Sequence, residues 1–100
     1  MRVPTGRFEH RIAKAEHVEL LCMDELSMEK HGATTENVSP QGARLITDLI
    51  YNPGKPVLLG VPEEQLKLPA RVIYCQRLEH GRFAVGLQFE RRFGRWQELP

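Results

Sequence analysis

Two groups of residues have the types and the spacing suited to binding an anion. Arg7 and Arg11 form an RxxxR pattern near the start of the chain. Their planar guanidinium groups match phosphate and guanine edges, because each can donate paired hydrogen bonds. Asn37, Ser39 and Gly42 form an NxSxxG pattern, which supplies an amide, a hydroxyl and a backbone that a neighbour can approach closely. Singly, both patterns are weak evidence, since paired arginines commonly form a solvated face and the second pattern consists of ordinary turn residues.

The elements that would position these residues are short β-strands. Six stretches are predicted as strands, at about 17–23, 31–37, 43–48, 56–61, 70–77 and 83–89. Residues alternate with a two-residue period at 17–23, 43–48, 70–77 and 83–89, whereas 56–61 is a short apolar run closed by Pro62. A cluster of turn residues at 37–42 has a predicted strand on each side, and Glu79-His80-Gly81 predicts a hairpin turn. Six short strands with frequent turns indicate an all-β barrel or sandwich.

Length and composition limit the classes of protein to which the chain can belong. One hundred residues with 41% hydrophobic and 27% charged residues are typical of one soluble globular domain. Fourteen Lys and Arg against thirteen Asp and Glu give a net charge of +1. A chain with this charge lacks the uniform positive field of a non-specific DNA or RNA binder, so an anion site would be local. Ten of the fourteen cations are arginines. We expect a single domain over 1–100, with a basic arm at 1–15, a barrel at 16–90 and a tail at 91–100.

The sequence contains no motif that is typical of catalysis, of metal binding or of a membrane span. The four histidines and two cysteines do not occur at zinc-ligand spacing, and no GxSxG, P-loop or GxGxxG pattern occurs. We therefore predict neither an enzyme nor a resident metal or cofactor. No apolar run exceeds the four residues at 20–23 and at 72–75, far below the roughly 20 residues of a membrane span, and the N-terminus has no apolar signal core. The expected location is the cytoplasm.

In their order and separation, the RxxxR and NxSxxG patterns resemble those of the PilZ domain family of bacterial cyclic di-GMP receptors. The closing Val85-Gly86-Leu87-Gln88-Phe89 is also similar to the last strand pair of that family. The resemblance extends from about Arg7 to about Phe89. It implies an all-β fold, a six-stranded antiparallel β-barrel of the PilZ split-barrel type, with a flexible N-terminal arm and a short C-terminal tail or helix.

The resemblance also implies which residues contact the ligand. Cyclic di-GMP carries two phosphates and two guanines, so its receptor needs cations and flat surfaces. The implied contacts are Arg7, Arg11, Asn37, Ser39 and Gly42, and Arg44 on the next strand is a further candidate that could instead face solvent. We expect the two N-terminal arginines to become ordered on binding, while the turn forms the fixed half of the site. Gly42 is expected either to adopt a positive φ or to allow close approach of the ligand.

One departure from the family leaves the ligand stoichiometry open. Gly6 stands where many members carry a further basic residue before the first motif arginine. An intercalated ligand pair would need that cation, so either one ligand or a pair is possible. The C-terminal residues have two readings, because they could stack on or clamp a base, or dock as a tail, which we favour. They are Phe93 and Trp96 with Arg91, Arg92 and Arg95.

The resemblance implies a receptor or adaptor that changes the conformation of its N-terminal arm on binding cyclic di-GMP. It would signal to a downstream protein partner in motility, biofilm or exopolysaccharide control. The alternative is a PilZ-fold interaction module in pilus or flagellar function that does not bind the nucleotide. A single-stranded nucleic-acid binder is disfavoured, because the seven aromatic residues fall mostly at inward-facing strand positions. The expected oligomeric state is a monomer or a weak homodimer.

Overall fold

The computed structural model describes residues 11–23 and 29–96. Within these ranges the chain forms seven β-strands and two single-turn 3-10 helices, at Pro62–Glu64 and Gly94–Trp96. No helix in the described ranges is long and apolar enough to cross a membrane. The strands are β1 (Ile12–Ala13), β2 (His17–Cys22), β3 (Lys30–Ser39), β4 (Gly42–Thr47), β5 (Pro56–Val61), β6 (Leu66–Arg77) and β7 (Phe83–Phe89).

Six of these strands close into an antiparallel barrel. Their order is β3-β2-β5-β6-β7-β4, and β4 pairs back with β3 to complete the ring. Closure removes the free edges at which an open sheet would pair with other chains. β1 is an additional short strand, which pairs with the end of β3 beyond β2. The predicted all-β, six-stranded antiparallel barrel is confirmed.

The core follows from the two-residue period of the strands. One face of each barrel strand carries mainly apolar residues that are buried in the interior, because successive side chains of a strand point to opposite faces. The largest side chains of this interior include Val18, Leu20, Leu45, Val57, Leu59, Val72 and Val85.

The chain after β7 closes one end of the barrel. Phe93 and Trp96 are buried, and the Trp96 ring packs against Phe93 and Phe89 at centroid distances of 5.1 and 5.8 Å. These rings therefore dock on the barrel and do not form a stacking surface for a ligand. The predicted short C-terminal helix is the single 3-10 turn that ends at Trp96.

Two strands are longer than the sequence pattern predicted. β3 continues through Ser39, so the predicted turn at 37–42 shrinks to Pro40 and Gln41. β6 begins at Leu66, because residues 66–71 pair along the whole of β5. The hairpin turn at Glu79-His80-Gly81 is confirmed, with positive φ at His80 and Gly81 as a tight two-residue turn requires.

Truncating a buried side chain of the barrel interior should cost much more unfolding free energy than truncating an exposed one. Leu59→Ala removes a fully buried side chain from β5 and is expected to lower the free energy of unfolding by about 2–5 kcal/mol. Leu66→Ala is the matched control, because this leucine of β6 is 36% exposed and its truncation should cost less than about 1 kcal/mol. Urea denaturation measures both values. Equal costs would contradict the assignment of Leu59 to the core.

Candidate functional site

The site is organised around a bulge in β3. Thr35 lies opposite Leu45 and Asn37 lies opposite Arg44, so Glu36 is an extra residue between two ladder pairs. The buried positions of β3 consequently change phase, from Thr35 before the bulge to Val38 after it. Glu36 and Asn37 are left at the surface side by side. Asn37 is half-buried and Glu36 is exposed.

The N-terminal arm meets the barrel at this bulge. Arg11 donates a hydrogen bond from Nη1 to Oδ1 of Asn37 at 2.9 Å. The bond joins the second arginine of RxxxR to the first residue of NxSxxG. It is supported by β1, in which Ile12 pairs with Val38 and Ala13 with Asn37. Arg7 lies outside the described residues.

A buried threonine fixes the segment that follows β1. The Thr35 hydroxyl accepts a hydrogen bond from the Glu16 amide at 2.8 Å and donates one to the Lys14 carbonyl. The main chain adds bonds from Thr35 N to Glu16 O at 3.0 Å and from Lys14 N to Glu36 O at 3.3 Å. Thr35 thus ties the arm to the bulge. This role could not be predicted from the residue type, because threonine is an ordinary strand residue.

Ser39 and Gly42 shape the turn between β3 and β4. The Ser39 hydroxyl is buried, accepts a bond from the Gln41 amide at 3.2 Å and donates to the Gly42 carbonyl at 3.5 Å. Gly42 is not among the described glycines with positive φ. A Cβ there would lie 2.2 Å from the Leu87 carbonyl oxygen of β7. Of the two alternatives expected for Gly42, the positive φ is therefore not adopted, and the glycine allows close approach of the neighbouring strand.

The same turn is also hydrogen-bonded to the last residue of β7 and to the segment that follows it. Pro40 O accepts a hydrogen bond from Phe93 N at 2.7 Å, and Gln41 O accepts one from Phe89 N at 2.8 Å. The carbonyls of Pro40 and Gln41 therefore both accept hydrogen bonds from the segment 89–93. This arrangement gives the NxSxxG turn a fixed position relative to β7.

Arg44 is the centre of a polar cluster on the outer face of the barrel. Its Nε donates to Oε1 of Glu36 at 2.5 Å, and its Nη1 donates to the Tyr74 hydroxyl at 3.0 Å and to Oε1 of Gln76 at 3.3 Å. The bonds to Tyr74 and then to Glu36 raise the pKa of Arg44, so the guanidinium is always charged. The guanidinium carbon also lies 5.8 Å from the centroid of the Tyr74 ring.

Tyr74 covers a gap left by a glycine on the neighbouring strand. A Cβ on Gly86 of β7 would lie 2.2 Å from a ring carbon of Tyr74. The ring remains 38% exposed and so presents an aromatic surface beside Arg44. Sequence reasoning missed both Tyr74 and Glu36. Their contacts with Arg44 depend on strand register. The alternation groups Tyr74 with Val72 on one face, but β6 is irregular between these two residues, and Tyr74 is exposed whereas Val72 is buried.

The structure therefore brings together five of the six predicted site residues. Arg11 contacts Asn37, which lies opposite Arg44, and Ser39 lies opposite Gly42 two pairs further along. The assembled groups can bind an anion through two guanidinium groups and an amide, and a flat base against Tyr74. In the described parts of the chain, no three His, Cys, Asp or Glu side chains are grouped as metal ligands would be.

Comparison with known proteins gives one family. The family model described as PilZ domain matches residues 6–95, which include both arginines of RxxxR, the NxSxxG turn and all seven strands. No curated protein matches the chain.

Because the Leu87 carbonyl lies so close to Gly42, adding a single methyl group at this position should destabilise the protein. Gly42→Ala is expected to lower the free energy of unfolding by about 1–3 kcal/mol, because the Leu87 carbonyl is main chain and cannot turn away. Gly94→Ala is the control, since nothing lies within 4 Å of a Cβ at that position. Thermal denaturation compares the two variants. A neutral Gly42→Ala would contradict the stated contact.

The Thr35 hydroxyl predicts a local effect on the arm. Thr35→Val keeps the side-chain shape but removes one partner each from the Glu16 amide and the Lys14 carbonyl, at a cost of about 1–3 kcal/mol. Hydrogen exchange of the Glu16 amide should become faster. Thr34→Val on the exposed face of the same strand should leave that exchange rate unchanged. Unaltered exchange in Thr35→Val would show that the hydroxyl does not hold the arm.

Proposed function

Because the chain belongs to the PilZ domain family, a family of cyclic di-GMP receptors, we propose that it binds cyclic di-GMP and acts as a receptor or adaptor. The observation that carries this proposal is the hydrogen bond between Arg11 and Asn37, at 2.9 Å. The two motifs are distant in sequence, and a shared ligand requires them to be adjacent in space. The proposed role is binding, with no catalytic step.

The proposed contacts follow from the donors that the site presents. Arg11 and Arg44 supply fixed positive charge for the phosphates and paired donors for the guanine O6 and N7 edge. The Asn37 amide accepts from Arg11 through its oxygen, which leaves the two amide hydrogens to point toward a ligand. The Tyr74 ring offers a surface on which a guanine can stack. Ser39 and Gly42 would act mainly by holding the turn in shape.

The N-terminal arm is the proposed moving part. Its described end is attached by the two-residue strand β1, by Thr35 and by the bond from Arg11 to Asn37. A ligand that engages Arg11 and Asn37 would act directly on that attachment. We propose that Arg7 completes the site from the arm, and that the resulting change of conformation is read by a protein partner.

The biological output is proposed from the family alone. It is signalling in the cytoplasm that controls motility, biofilm formation or exopolysaccharide production. The domain boundaries proposed for this activity are an arm at 1–15, a barrel at 16–90 and a tail at 91–100. The proposed working form is a monomer or weak homodimer.

Calorimetric titration with cyclic di-GMP tests the proposal. Arg11→Ala and Arg7→Ala should each weaken binding about ten- to over a hundredfold, because each loses charge-assisted hydrogen bonds worth about 1.5–3 kcal/mol. Arg82→Ala, in the β6–β7 hairpin turn, is the matched control and should bind like the wild type. The molar ratio of the same titration distinguishes one bound ligand from an intercalated pair.

Two outcomes would contradict the receptor proposal. Wild-type affinity in both arginine variants would mean that the ligand binds elsewhere. No heat and no chemical-shift change with the wild-type protein would leave the ligand-free PilZ interaction module, acting in pilus or flagellar function, as the better explanation.

A further inference from the structure

The ion pair between Glu36 and Arg44 is asymmetric. The Arg44 side chain is 26% exposed, whereas the Glu36 side chain is 51% exposed. The guanidinium is also held on the barrel side by the Tyr74 hydroxyl and by Gln76, at 3.0 and 3.3 Å. If the pair separates, the carboxylate can turn into water at little cost, while the cation keeps its position.

Glu36 contacts both Arg44 on β4 and the main chain of the N-terminal arm. Glu36 is the extra residue of the β3 bulge, and its neighbour Asn37 lies opposite Arg44 and binds Arg11. The negative charge of Glu36 is therefore placed between the arm and the cation on β4. Its own carbonyl accepts the bond from the Lys14 amide, so the residue touches both halves of the site.

We propose that Glu36 is an internal competitor of the ligand: its carboxylate occupies the Arg44 guanidinium that a ligand phosphate would otherwise bind, and the ligand must displace it. This inference rests on the proposed function and adds a residue that lowers affinity. The apparent affinity is the intrinsic affinity multiplied by the fraction of molecules in which Arg44 is released.

The physical scale of the competition follows from the exposure of the pair. Exposed ion pairs of this kind shift an equilibrium by roughly 1.5- to 5-fold. Repulsion between the Glu36 carboxylate and a nearby phosphate acts in the same direction, and salt screens both effects. Removing the charge should therefore tighten binding by about two- to fivefold at low salt and by less at high salt.

The test is a calorimetric double-mutant cycle with cyclic di-GMP. Glu36→Gln keeps the side-chain shape and removes the charge, and it should bind two- to fivefold more tightly than the wild type, as argued above. In an Arg44→Ala background the same substitution should give a smaller gain, because no guanidinium remains to be released and only the repulsion between carboxylate and phosphate is relieved. Glu19→Gln is the matched control, since it removes a carboxylate paired with Lys30 at 3.8 Å on another part of the barrel. Thermal denaturation of each variant verifies folding.

Each outcome separates this inference from the proposed function. Binding by the wild type without a gain in Glu36→Gln overturns the competitor role and leaves the receptor proposal intact. An equal gain in both backgrounds, or in Glu19→Gln, also overturns it, because the effect would then be a general change in charge. Binding by Glu36→Gln where the wild type shows none supports the competitor role. No binding by any variant contradicts the receptor proposal and this inference with it.

Discussion

Hydrogen bonding along both edges of β3 is the constraint on which the rest of this structure depends. On one edge this strand pairs with β2 and β1, and on the other edge its pairing with β4 closes the barrel. A closed barrel needs strong local twist, which a bulge provides. The bulge at Glu36 satisfies that need and also turns Asn37 toward the arm. The geometry that closes the barrel and the geometry that forms the site thus have one origin.

Much of the fold could be predicted from the sequence, because the barrel strands alternate with a two-residue period. β5 was predicted at its exact bounds, since Pro56 begins it and Pro62 follows it. The first part of β6 was missed because it contains Pro69, a residue that normally argues against a paired strand, although residues 66–68 alternate. The last residues of β3 were read as a turn for a similar reason: the bulge shifts the period by one residue, and Asn, Ser and Pro then suggest a loop.

Part of the candidate site could be predicted from residue types, and the rest depends on strand register, which the sequence does not show. The resemblance to the PilZ domain family implied that Arg11 and Asn37 belong to one site, and the structure puts their side chains in contact. The roles of Thr35, Glu36 and Tyr74 could not be predicted, because each depends on a partner that only strand pairing brings near. For Gly42, register determines the environment: its φ is not positive, and the Leu87 carbonyl of β7 lies where a Cβ would be.

Two hairpin loops of the barrel, β6–β7 and β3–β4, differ in their tolerance of added residues. The β6–β7 loop bonds within itself, through Leu78 N to Arg82 O and Arg82 N to Glu79 O, so its tip can lengthen without effect elsewhere. Both carbonyls of the Pro40-Gln41 loop are instead bonded to the segment 89–93. One inserted residue there would separate two bonds to a distant part of the chain. Natural length variation is therefore compatible with the first loop and is opposed at the second.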